Sequence, residues 1–205
     1  MRILTLLLFA FALPAQAALN ILSTVPEWAA LAQEIGGDKV KATAATTALQ
    51  DPHHIDARPS LIARARNADL LLATGAELEV GWLPVVQRES GNPRIQVGQP
   101  GYFEAAAFVR MLDVPGKLDR AAGDVHADGN PHIQTDPRNF LAIGEALAAR
   151  LAQLDAGNAA AYRAGYASFA ERWRGQIRRW EAQAAPLKGI AVVSQHKAWA
   201  YLYDW

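Results

Sequence analysis

Apolar and polar positions along this chain fall into blocks of differing period, and the blocks mark out its elements. Leu19 to Val25 reads as a short strand and Glu27 to Ile35 as a helix. Gly36-Gly37 closes that helix, because glycine accepts the left-handed backbone that ends helices. Val40 to Thr47, rich in Val, Thr and Ala, predicts a second strand. Pro59 opens another helix, since proline suits a first helical position. Asp69 to Thr74 is a continuous apolar run stopped by Gly75, the pattern of a strand buried on both faces of a parallel sheet. Val80 to Arg88 predicts a helix despite Pro84, and Arg94 to Val97 a fourth strand. Strands and helices that alternate over short connections predict an α/β fold with a mostly parallel sheet.

The pattern changes after Asp136. Asn139 to Leu154 is an amphipathic helix, followed by a break at Asp155-Ala156-Gly157. From Asn158 to Ala184, Tyr162, Tyr166, Phe169, Trp173, Ile177 and Trp180 recur at steps of three and four, one stripe of a long helix. Such a helix spans ~40 Å at ~1.5 Å per residue. Gly165 and Gly175 lie inside it, and Pro186 and Gly189 end it. Gly189 to Ser194 predicts a new buried strand, with His196 and an aromatic segment after it. A lone strand with the start of a helix cannot bury its own apolar faces. The tail therefore either joins the first sheet or begins a second lobe that continues beyond Trp205, and the second is expected. On that expectation Ile190, Val192, Val193, Trp199, Tyr201 and Trp205 have few partners, and the final segment is mobile or aggregation-prone, because it exposes an apolar strand edge. The predicted division is 1–17, 18–137 as a first α/β lobe, 138–186 as connecting helices, and 187–205 as the start of a second α/β lobe.

The first block is of another kind. Met1-Arg2 is followed by an unbroken apolar run from Ile3 to Leu13, then Pro14 and Ala15-Gln16-Ala17. A positive start, an apolar stretch and a small-x-small site make a secretory signal, with cleavage expected after Ala17. The run is too short for a transmembrane helix, which needs ~20 residues. No Cys follows the cleavage site to carry a lipid. The expectation is a soluble periplasmic protein, monomeric, without direct membrane insertion.

Composition narrows the chemistry. The 20 basic and 20 acidic side chains balance, so no basic excess is present to neutralise nucleic-acid phosphates or an anionic membrane surface. The 51% apolar content supplies a packed core. With no cysteine, disulfides, thiolate metal sites and cysteine nucleophiles are excluded, and any metal must be held by His, Asp and Glu. The five histidines fall in three groups: His53 with His54, His126 with His132, and His196. Each lies in a loop or at a strand end, the rim where open α/β folds bind ligands. Neutral imidazole is the commonest metal ligand. Taken singly, a loop histidine is usually a solvated one, and the Asp, Asn, Gly and Pro beside these are ordinary turn residues. His53 and His54 point opposite ways in extended chain, so at most one of them faces a site.

Three segments together say more. Asp51-Pro52-His53, with Arg58-Pro59-Ser60 downstream, resembles the first ligand segment of the metal-binding solute receptors of ABC transporters, the ZnuA/TroA-like family. Gly129-Asn130-Pro131-His132, with Asp136-Pro137 after it, resembles the second. Ser194-Gln195-His196-Lys197-Ala198-Trp199-Ala200-Tyr201 is similar to the third. The resemblance runs from about Ala18 to Trp205. It implies two α/β lobes joined by one long helix, with a metal between them held by His53, His132 and His196. It implies a periplasmic receptor that captures zinc, with manganese less favoured, and delivers it to an ABC permease. Imidazole at the third position fits zinc, whereas manganese favours carboxylate oxygen. A fourth ligand would come from beyond Trp205. The His-rich loop of many zinc receptors is reduced here to Gly123-Asp124-Val125-His126-Ala127-Asp128, where His126 is placed for transient metal contact. Two other readings stay open. One is a zinc-dependent hydrolase, since three histidines and an open fourth position also describe a catalytic zinc, although no His-Glu-x-x-His is present. The other is a scaffold in which the histidines are incidental.

Overall fold

Four short strands form one parallel sheet: β1 (Leu19–Ser23), β2 (Val40–Ala44), β3 (Leu70–Ala73) and β4 (Tyr102–Glu104), in the order β2-β1-β3-β4. The computed structural model describes residues 17–116, 126–194 and 196–205, so the predicted export signal lies outside it except for Ala17. Among the described residues no helix is long and apolar enough to cross a membrane. The sheet alternates its side chains between two faces. Ile21, Leu70, Leu72 and Phe103 enter one core with helices α1 (Pro26–Gly36), α4 (Asn139–Leu154) and α5 (Ala159–Ala184). Leu22, Leu71 and Ala73 enter the other with α2 (Pro59–Arg66) and α3 (Leu83–Ser90). All four residues of β3 are buried, so this strand has no polar side, as its apolar run requires.

Proline positions explain two helix starts. Pro59 and Pro84 both sit in a first turn, where a missing N–H is harmless. The helix predicted from Val80 therefore begins at Leu83. The strand expected at Arg94 to Val97 is instead a single tight turn, Pro93–Ile95, and the fourth strand lies at Tyr102–Glu104. The ladder groups are taken. Pro93 has no N–H, Asn92 Oδ1 accepts from Arg94 N at 3.0 Å, and Gln87 Nε2 donates to Ile95 O at 2.7 Å. Ile95 is buried, but by a turn rather than a sheet.

Helix α5 carries the stripe predicted for it. Tyr162, Phe169 and Ile177 are buried, and Trp173 Nε1 donates to Pro137 O at 2.7 Å. Gly165 is not a hinge: a Cβ there would collide with the Ile35 backbone carbonyl of α1. Here α5 packs directly on the backbone of α1. Gly175 has open space around it, with only an Arg178 nitrogen at 3.9 Å.

After α5 the predicted strand Gly189–Ser194 does not form. Ile190, Val192 and Val193 are exposed, Val193 to 99%. An apolar run becomes a strand only beside a partner edge, and among the described residues none lies against it. In the next segment Tyr201 finds partners, contrary to the expectation that it has few. A turn at Lys197–Trp199 leads into α6 (Ala200–Asp204), whose Tyr201 is only 2% exposed. Tyr201 OH donates to Asn130 O at 2.9 Å and accepts from Leu112 N at 3.0 Å. Arg110 pairs with Asp204 at 2.7 Å.

Gly165→Ala is expected to destabilise the chain by roughly 1–3 kcal/mol, the usual effect of overpacking a close backbone contact. Gly175→Ala should be neutral or slightly stabilising, because alanine is the better helix former. Urea denaturation of both variants checks this; equal stabilities would remove the close approach of α1 and α5.

Candidate metal centre

The loop after β2 carries His53. Asp51 Oδ1 accepts from the His53 backbone N–H at 2.9 Å and lies 2.8 Å from His53 Nδ1. Pro52 between them offers no competing N–H. This short turn holds the ring with Nδ1 engaged and leaves Nε2, which is buried and has no hydrogen-bond partner. Trp82 Nε1 donates to Pro52 O at 2.8 Å and fixes the turn to the start of α3. His54 is exposed, so one of the adjacent pair faces inward, as extended geometry requires. Burial would raise the Asp51 carboxyl, but the bonds from His53 outweigh it and hold it below the ordinary carboxylate range.

The second segment repeats the device. Asn130 Oδ1 accepts from the His132 backbone N–H at 3.0 Å and sits 2.8 Å from His132 Nδ1, with Pro131 between. His132 is buried. Burial, with the imidazoles of His196, His53 and His126 close by, lowers its pKa from 6.5 to about 4. It is therefore neutral, the form that binds metal. Asp136-Pro137-Arg138 uses the same turn for an ion pair, with Arg138 against both carboxylate oxygens at 2.8–3.0 Å. Asp136 is thus engaged as a structural group.

His196, exposed and just ahead of the turn that leads to α6, brings its Nε2 to 3.2 Å from His132 Nε2. The ligand atoms of His53, His132 and His196 all lie within 4.8 Å of one another. Tetrahedral zinc with bonds of ~2.0–2.1 Å needs nitrogens ~3.3 Å apart, a spacing the His132–His196 pair already meets. The three open onto a cleft of about 350 Å³ that Thr46, Thr47, Gln50 and Gln134 also line. The His126 ring stacks on His53 at 5.4 Å between centroids, outside the group of three. Of the reduced loop expected around it, Gly123 to Val125 lie outside the described residues.

Two supports escaped the sequence reading. Trp82 sat inside a predicted helix, and nothing local tied it to Pro52. Glu79 is buried behind the site, its pKa raised by burial. It accepts from Thr24 Oγ1, Thr74 N and Gly75 N, and so ties the ends of β1 and β3 together. Its oxygens are taken by these groups.

Converging imidazoles at the carboxyl ends of a parallel sheet, with a long helix beside them, define the class of metal-binding solute-binding proteins. Comparison with known proteins gives the family. The chain belongs to the ZnuA family, zinc-uptake complex component A, periplasmic, whose family model matches residues 21–205. Relatives include ScbA of Streptococcus cristatus, a metal ABC transporter substrate-binding lipoprotein, 24% identical over 75% of this chain and 47% of its own length. The manganese ABC transporter substrate-binding lipoprotein scaA of Streptococcus gordonii is 25% identical over the same shares. The high-affinity zinc uptake system protein ZnuA of Paracoccus denitrificans is 24% identical over 94% of this chain and 66% of its own length. The chain thus spans about half the length of the first two. In fold it is similar to a zinc-bound ZnuA deletion mutant, with TM-score 0.77 and 24% identity over 91% of this chain and 66% of that one. A Mn-bound periplasmic metal binding protein from Candidatus Liberibacter asiaticus gives TM-score 0.72 at 20% identity, over 91% of this chain and 64% of that one.

The low pKa of His132 has a stability consequence in metal-free protein. Its folded value of about 4 lies below the unfolded value near 6.5, so the unfolded chain takes up the proton first. The contribution is intact above pH ~6.5 and is lost as pH falls toward 4. Denaturation midpoints at pH 7.5 and 4.5 should fall further in the wild type than in His132→Gln; equal falls would contradict the burial of a neutral imidazole.

Proposed function

We propose that this chain is the metal-capturing part of a periplasmic receptor. It binds a divalent transition metal, zinc in preference to manganese, through His53, His132 and His196, and serves the permease of an ABC importer. The observation that carries this reading is the convergence of three imidazole nitrogens within 4.8 Å. A donor set of imidazoles alone suits zinc, whereas manganese prefers carboxylate oxygen. The names of relatives point both ways, to zinc and to manganese, and the donor chemistry supports zinc. In this reading residues 1–17 are removed on export and 18–137 form the first lobe. Residues 138–186 are the connecting helices, 187–205 open the second lobe, and the receptor works as a monomer. The family consists of transporter substrate-binding proteins, and no observation favours the hydrolase alternative. His126, stacked on His53, assists capture without joining the final shell.

Calorimetric zinc titration tests the assignment. His53→Ala and His132→Ala should each weaken binding at least tenfold, His54→Ala far less, and His126→Ala hardly at all. If His54→Ala were the most damaging, or if the unaltered chain took up no zinc, the assignment would be wrong.

A further inference from the structure

The two Asx-Pro-His turns are alike in all but one atom. Asp51 offers only oxygens. Asn130 has an amide nitrogen as well, and the structure gives that nitrogen two acceptors: the backbone carbonyl of Lys197 at 2.9 Å and Asp113 Oδ2 at 3.1 Å. Lys197 immediately follows His196. One side chain therefore grips the ring of one histidine with its oxygen and the backbone beside another with its nitrogen. Thr135 Oγ1 adds a longer contact to Ala198 O at 3.3 Å, and Tyr201 OH closes onto the Asn130 carbonyl. The chain is exposed from Leu187 to Ser194, and these bonds hold the arm on the carboxyl side of His196.

We infer that Asn130 is a positioning residue that docks the His196-bearing arm onto the first lobe and thereby sets the His132–His196 spacing. The inference rests on the metal-receptor reading for its purpose, but not for its geometry. Aspartate at 130 would keep both bonds to His132. It would lose the donor to Lys197 O and set a carboxylate against that carbonyl and against Asp113. A negative acceptor facing acceptors is repelled, so the arm should leave while His132 stays oriented.

The test has two readouts. In metal-free protein, trypsin cleavage after Lys197 cuts at the carbonyl that Asn130 holds. Asn130→Asp should speed this cut at least fivefold relative to the cut after Lys188, and Thr135→Val should speed it to a smaller degree. Unchanged cleavage in Asn130→Asp overturns the docking role; if that variant does not fold, Asn130→Ser, which also removes the donor to Lys197 O, decides by the same measure. In zinc competition against a chromophoric chelator, Asn130→Asp should weaken affinity at least tenfold in the wild-type background and not at all alongside His196→Ala. Equal losses in both backgrounds would mean that Asn130 acts through His132 alone, and would overturn the inference. Absence of zinc binding by the wild type would defeat the receptor reading, while the metal-free cleavage rates would still decide the role of Asn130.

Discussion

An imidazole presents a metal with one nitrogen in a defined direction only when its other nitrogen is held. Here the holding is done by a side-chain oxygen two residues upstream, across a proline, at both His53 and His132. The same oxygen accepts the histidine's backbone N–H, so backbone and ring are fixed by one acceptor. Proline makes the arrangement economical: it brings no N–H of its own and its fixed φ biases the chain into a turn. With Nδ1 engaged in this way, Nε2 is the atom left to point inward. The 3.2 Å approach of His196 to His132 is made to a ring already held in this way.

The turn is not itself a metal signature. Asn92-Pro93-Arg94 and Asp136-Pro137-Arg138 use the same acceptor for a backbone N–H and then for a guanidinium. Four copies of one local solution thus serve two ends, a held guanidinium with arginine and a held ring with histidine. The difference lies in where each turn sits: the histidine turns face each other across the rim of the sheet. Glu79 and Trp82 keep that rim in place, Glu79 by joining strand ends and Trp82 by bonding Pro52.

Much of this was readable in the sequence. The apolar run of β3, the stripe of α5 and the punctuation by Pro59 each state their element locally, because burial imposes its period on the residues themselves. The three histidines could be picked out through their neighbours in the family resemblance. What could not be read was contact at long separation. Trp82 meets Pro52 across 30 positions, and Asn130 meets Lys197 across 67. No periodicity encodes such bonds. The misread strand at Arg94 to Val97 has a related cause: Ile95 is buried, but the Arg94 N–H is spent on Asn92 and the Ile95 carbonyl on Gln87, and hydropathy does not record hydrogen bonds. Likewise the aromatic residues after His196 looked unpartnered, whereas Tyr201 bonds Asn130 and Leu112, groups some 70 to 90 positions upstream.

We propose that three imidazole nitrogens of this chain converge on a single divalent ion. Zinc K-edge X-ray absorption on the zinc-loaded protein measures that directly, because imidazole rings give a multiple-scattering signature that carboxylates and water lack. Three imidazoles with nitrogen at ~2.0–2.1 Å are expected, falling to two in His196→Ala. A wild-type spectrum fitted by a single imidazole and oxygen ligands, unchanged by His196→Ala, would contradict it.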